Sequence, residues 1–223
     1  AALKAELTKV RGELKAEQAV TGGVSTPGQR FVDPARLTAI LEAQGDAFRT
    51  SEPFPHVVID DFLEPGPLGA VADEFASLDR SRWRHTDTQN ELKSSTEDER
   101  QFPPTARALI HYLNSGGFLG FLEALTHIQG LIADPYYRGG GLHEIRRGGS
   151  LGVHADFNYY QRLKVYRRLN LLVYLNRHWQ DEWGGKLELW DREGKGCRTS
   201  VSPVFNRAVI FETSNFSYHG HPH

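Results

Sequence analysis

His154 and Asp156 stand two residues apart in GGSLGVHADFNYY, residues 148–160, just past a glycine pair. Successive side chains of an extended strand alternate between its faces, so the two project to the same side. An ion pair is one reading of that placement. The other is a metal, because a histidine nitrogen and a carboxylate oxygen on one face converge without bending the backbone. An HxD by itself is common by chance, so a third ligand has to come from elsewhere in the chain.

The C-terminal stretch SNFSYHGHPH offers His219, His221 and His223. It follows directly on NRAVIFE, whose apolar run reads as a buried strand, so a neighbouring strand can carry His219 to His154. Two histidines and one carboxylate form a facial triad, which leaves three positions of an octahedral iron for a cosubstrate and dioxygen. The same three residues could hold zinc and activate water, although no glutamate base is evident nearby.

The elements that must position these residues fall into two groups. Before Gly139 the chain is mainly helical. Residues 3–18, LKAELTKVRGELKAEQ, place Leu3, Leu7, Val10 and Leu14 on a heptad seam. That helix packs on the domain or forms a homodimer contact. TGGVSTPGQ, 21–29, reads as a linker, which divides the chain into 1–30 and 31–223. Asp33-Pro34 is a helix start, and Leu37, Ile40, Leu41 and Phe48 give the next helix its apolar face. FPHVVIDDFLEPG, 54–66, reads as a strand and a turn, with a helix over 68–78 behind it. Residues 81–101 show no clear period and read as a long loop, introduced by Trp83 and Arg84 and placed to act as a lid. Two helices follow, in PPTARALIHYLNS and FLGFLEALTHI.

From Gly139 onward GLHEIRR, SLGVHADF, RLNLLVYLN, GKLELWD, CRTSVSP and NRAVIFE are short strands between turn-rich connections. Gly184 and Gly185 belong to one such turn, and Trp183 and Trp190 read as core. Helices first and strands second predict an α+β domain or a helix-backed β-sandwich.

Composition narrows the function classes. Lys plus Arg is 26 against 28 Asp plus Glu, a net charge of −2, so no basic field favours nucleic acid or an acidic membrane. The densest basic run is Arg162, Lys164, Arg167 and Arg168. The single cysteine, Cys197, cannot form an internal disulfide, and no CxxC is present. With no apolar run of membrane-spanning length and no signal-peptide pattern, the expected location is the cytoplasm. The chain has no methionine, which suggests a piece of a longer product.

In the order FPHVVIDDFL, GGGLHEIRRGGSLGVHADFN, RRLNLLVYLN, EWGGKLELWD and FNRAVIFETSNFSYHGHP, the chain resembles the iron(II)- and 2-oxoglutarate-dependent oxygenases, within them the prolyl-4-hydroxylase-like branch. The likeness runs from about Phe54 to the end. It implies a double-stranded β-helix (jelly-roll, cupin-like) core backed by the N-terminal helices. It implies Fe(II), 2-oxoglutarate and O2 as cofactors, with His154, Asp156 and His219 as iron ligands and His221 outside the triad. Asp156 in the ligand position argues against the halogenating variant, which needs that position empty.

By the same resemblance the activity is hydroxylation of an unactivated C–H bond, releasing succinate and CO2. The substrate would be a small molecule, an amino acid or a prolyl-type peptide. Tyr159 and Tyr160 are placed to reach it. Two departures stand out. The tyrosine that touches the cosubstrate in many relatives is replaced by Ile145, with His143 two residues earlier as a substitute. The basic residue expected past the distal histidine would lie beyond His223, on a further strand. Without that strand, Arg168 or Arg207 would take the cosubstrate carboxylate, with Asn170 facing it. The alternative to an enzyme is a non-catalytic cupin-like ligand-binding domain.

Overall fold

The structure, a computed structural model, describes residues 30–89 and 91–221. The expected coiled-coil helix, its dimer contact, the 21–29 linker and His223 lie outside the described residues. Helix α1, Pro34–Gln44, starts as expected: the Asp33 side chain accepts the Ala35 N–H at 2.9 Å, and proline occupies the first turn. Leu37, Ile40 and Leu41 are its buried face. The short α2, Ala47–Thr50, buries Phe48. Strand β1, His56–Ile59, leads into α3, Pro65–Ala76. Helices α4, Pro104–Leu113, and α5, Gly116–Thr126, complete the helical layer.

Residues 81–101 are not a loop. They form a hairpin, β2 at Arg84–Thr88 and β3 at Glu91–Thr96, and β3 also pairs with β4, Leu142–Glu144, and β5, Ser150–His154. The period is hidden because β2 is an outermost strand of mostly exposed residues, so neither of its faces needs to be apolar. Trp83 anchors the hairpin's entry and is buried.

The remaining strands are β6, Tyr159–Tyr160, β7, Val165–Tyr166, β8, Leu169–Val173, β9, Leu187–Trp190, β10, Cys197–Val201, β11, Ala208–Glu212, and β12, His219–His221. They build mixed α/β architecture with antiparallel sheets. One sheet has the order β10-β9-β12-β5-β3-β2, with β4 on β3; another is β1-β11-β8; β6 and β7 pair alone.

Strand β11 shows how the layers meet. Ala208 and Ile210 pack into the helical core with Phe62, Phe118, Leu68 and Leu125. Val209 and Phe211 point the other way, into a second cluster with Phe54, Leu187, Leu189 and Val201. Its sequence AVIFE is continuously apolar because both faces are covered. The second cluster joins the smaller sheet to β9 and β10 of the larger one. Asn170 shares its strand face with Leu172, which packs on that second cluster.

Trp183 departs from the expected core position. It sits in a 3-10 turn, Asp181–Trp183, is 58% exposed, and packs edge-on against Trp179. Lying outside the sheets, it has no core face to enter. The turn after it uses Gly184 and Gly185, both at φ +69, where a side chain would be strained.

Candidate metal centre

Strand β5 ends on His154, and the chain then leaves the sheet, carrying Asp156 two residues on. Strand β12 inserts between β5 and β9, and its register puts His219 directly opposite His154. That pairing brings together residues 65 positions apart in sequence. The ligand atoms of His154, Asp156 and His219 all lie within 4.8 Å of one another. His154 Nε2 is 3.5 Å from Asp156 Oδ1, and His219 Nε2 is 3.6 Å from Asp156 Oδ2. The imidazole centroids are 4.6 Å apart. Phe211 of the second core cluster packs on the His219 ring at 4.7 Å and fixes it from behind.

The hydrogen bonds set the tautomers. His154 Nδ1 lies 2.8 Å from the Gly152 carbonyl, and His219 Nδ1 lies 3.0 Å from the Ser217 carbonyl. A carbonyl oxygen only accepts, so each Nδ1 carries a proton, and Nε2 is the nitrogen that each neutral imidazole offers to a metal. Both Nε2 atoms face the Asp156 carboxylate. Two imidazole lone pairs and a carboxylate that converge in this way, each imidazole oriented by a carbonyl behind it, suit a divalent cation.

The electrostatics agree. Burial pushes the Asp156 carboxyl up, but the His154 hydrogen bond, the charges of Arg167 and His219 and the Asn170 amide together hold it well below the usual carboxylate range. Burial is the largest influence on His219 and holds it below the ordinary histidine value. The hydrogen bond to Asp156 raises His154. The Asp156–His154 pair is therefore a charge arrangement in which a metal can replace a proton.

Asp156 is braced on one side. The Asn170 amide donates to its Oδ2 at 2.6 Å, the Asn170 carbonyl accepts from Arg167, and Arg167 Nη2 is 3.5 Å from the same oxygen. Asn170 was expected near the site. Arg167 was not, because strand alternation pairs Asn170 with Arg168. The alternation fails where the chain breaks between β7 and β8, so Arg167 turns toward Asp156 and Arg168 pairs with Glu212 at 3.0 Å. Arg207, the other candidate for a cosubstrate carboxylate, is paired with Asp60 at 2.6 Å. His143 is exposed and donates from Nε2 to the Gly140 carbonyl at 2.9 Å. Ile145 is 40% exposed and lies against Gly149. His221 is a buried strand residue opposite Leu151.

Residues 140–223 match the family model of the 2OG-Fe(II) oxygenase superfamily. A search by sequence among curated proteins finds no match. Among solved structures, a prolyl-4-hydroxylase from Pseudomonas putida is similar at a TM-score of 0.59 and 18% identity, over 82% of this chain and 92% of that one. A prolyl 4-hydroxylase from Phytophthora capsici is similar at 0.61 and 20%, over 90% of this chain and 64% of that one. A prolyl hydroxylase from Trichoplax adhaerens, in complex with a hypoxia inducible factor oxygen degradation domain peptide fragment, is similar at 0.52 and 16%, over 84% and 81%. At these identities the structural likeness is one of fold.

Proposed function

We propose, from the premise that residues 140–223 form a 2OG-Fe(II) oxygenase domain, that this chain hydroxylates an unactivated C–H bond with His154, Asp156 and His219 as its iron ligands. The family's cofactors are Fe(II), 2-oxoglutarate and O2, as the motifs implied. The observation that carries the ligand assignment is the convergence of the two Nε2 lone pairs on Asp156. When bound, iron with 2-oxoglutarate and dioxygen supplies the oxidising power to replace hydrogen by hydroxyl, with succinate and CO2 as coproducts.

The protein's own part is positioning. The Gly152 and Ser217 carbonyls hold the two rings in the ligating tautomer. Asn170 and Arg167 occupy Asp156 Oδ2, which leaves Oδ1, on the His154 side, free to ligate. Phe211 walls His219 off from water, so the site is dry on one side. We read the two sheets joined through the second core cluster as the expected double-stranded β-helix, and 31–223 as the oxygenase domain with 1–30 as its extension. None of the described helices is long and apolar enough to cross a membrane.

Anaerobic titration with Fe(II) and 2-oxoglutarate tests the reading. A metal-to-ligand charge-transfer band is expected in the native protein and not in His154→Ala or His219→Ala. If no band forms with the native protein, the oxygenase reading fails, and a cupin-like binding domain replaces it.

A further inference from the structure

Strand β3 has its polarity inverted. Leu92 is 41% exposed, whereas Glu91 and Lys93, which alternate to the other face of the strand, have side chains only 27% and 17% exposed. A half-covered sheet ordinarily turns its apolar residues inward and its charges to water. The two inward charges pair with each other, Lys93 Nζ to Glu91 Oε1 at 2.6 Å. An ion pair withdrawn from water adds little to stability, because desolvation offsets the attraction. Packing therefore gives no reason for charges on this face.

The strand register shows what the charged face looks on to. Glu91 lies opposite Leu151 of β5, and Leu151 lies opposite His221 of β12. Residues directly opposite share a face, and so do His221 and His219, two apart on β12. Between the His154–His219 and Leu151–His221 pairs, β5 has two residues, Gly152 and Val153, against the single Gly220 of β12. The ladder bulges there, which returns Leu151 to the face of His154. Glu91, Lys93, His154 and His219 therefore share one face of the larger sheet. The Lys93 charge is felt at the metal centre: the hydrogen bond to Asp156 raises the His154 imidazole, and burial and the Lys93 charge oppose it.

From this juxtaposition we propose that the Glu91–Lys93 pair recognises a zwitterionic α-amino acid, its carboxylate on Lys93 and its ammonium on Glu91. Each protein charge then exchanges its present partner for a ligand group of the same sign, and neither is left half-buried and unpaired. A ligand with a single charge satisfies one of the two and strands the other. Glu91 faces Leu151, three residues before His154, a separation of about 10 Å along the strand. The C–H bonds nearest the triad are therefore those of the amino-acid side chain, not of its Cα. The balance is one amino acid, one 2-oxoglutarate and one O2 giving the side-chain-hydroxylated amino acid, succinate and CO2. This inference deepens the function proposed above and rests on it for the oxidation, but not for the binding.

The test is calorimetric titration of the full chain, loaded anaerobically with Fe(II) and 2-oxoglutarate, with each of the common L-amino acids. The tightest binder is then compared with its N-acetyl derivative, which lacks the ammonium, and with its carboxamide, which lacks the carboxylate. Each derivative is expected to bind at least about tenfold more weakly than the free amino acid. Lys93→Gln is expected to erase the preference over the carboxamide, and Glu91→Gln the preference over the N-acetyl derivative, with the charge-transfer band kept in both variants. If the band forms while no amino acid binds, or while the derivatives bind as well as the free form, the inference falls and the oxygenase reading stands. The same follows if a proline-containing peptide blocked at both ends binds and the free amino acids do not. If Lys93→Gln instead raises the 2-oxoglutarate needed for the band and leaves the amino-acid preferences unchanged, Lys93 serves the cosubstrate and the inference also falls. If the amino acid binds with the expected pattern in protein that forms no band, the recognition site stands and the oxygenase reading is the one lost.

Discussion

Asn170 carries more of the metal centre than its side-chain type announces. Its amide fixes Asp156 Oδ2, and its carbonyl aligns Arg167. Partners of metal ligands typically contribute about 10–100-fold in affinity, so Asn170→Leu, which removes both contacts, should weaken Fe(II) binding by about that factor. A competition titration with a chromophoric chelator measures it, and a change within about twofold would remove Asn170 from the site. Phe211 acts on the same centre from the core side. Phe211→Ala leaves a cavity behind His219 and should cost about 3–5 kcal/mol of stability, read by denaturant unfolding. Iron affinity should fall with it, because the His219 ring loses its support.

At the scale of elements, the centre depends on how closely β12 lies on β5. A Cβ at Gly220 would meet the Leu151 carbonyl oxygen at 2.7 Å and the Gly152 carbonyl oxygen at 3.0 Å, both backbone atoms with little freedom to move. Gly220→Ala should push the strands apart, costing about 1–3 kcal/mol as overpacking, and should carry His219 away from Asp156. Thermal unfolding and the charge-transfer band together check this. A variant with native stability and a native band would mean that β12 tolerates the methyl group. The β2–β3 hairpin is the element that the sequence concealed. Its outer strand β2 is polar and mostly exposed, β3 is largely polar as well, and alternation is legible only where one face is apolar. By contrast β11 and β8 were legible because they pack on both the helical core and the second cluster, and β9 because Leu187 and Leu189 alternate into the second cluster.

At the scale of the whole molecule, Asp60 and Arg207 tie the end of β1 to the start of β11. The hydrogen bond from Arg207 holds the Asp60 carboxyl below its usual range. A depressed folded-state value means that the pair's stabilisation is present above the unfolded pKa of about 3.9 and is lost as the pH falls through the lower folded value. The Asp60 side chain is 61% exposed, so the effect is small and falls with salt. Arg207→Ala should therefore lower the melting temperature slightly at neutral pH and converge with the native protein near pH 2. Equal differences at both pH values would show that the pair does not act through this charge. What the sequence by itself determined were the local features: the Asp33-Pro34 helix start, the apolar strands, and the His154-Asp156 spacing that two-residue alternation requires. The choice of His219 over His221 came from the resemblance, and the β12 register places it opposite His154. Only the tertiary structure decided that Arg167 rather than Arg168 faces Asp156, and that Arg168 and Arg207 are taken by Glu212 and Asp60. Those outcomes depend on breaks in strand alternation and on contacts between distant segments, which no local pattern encodes.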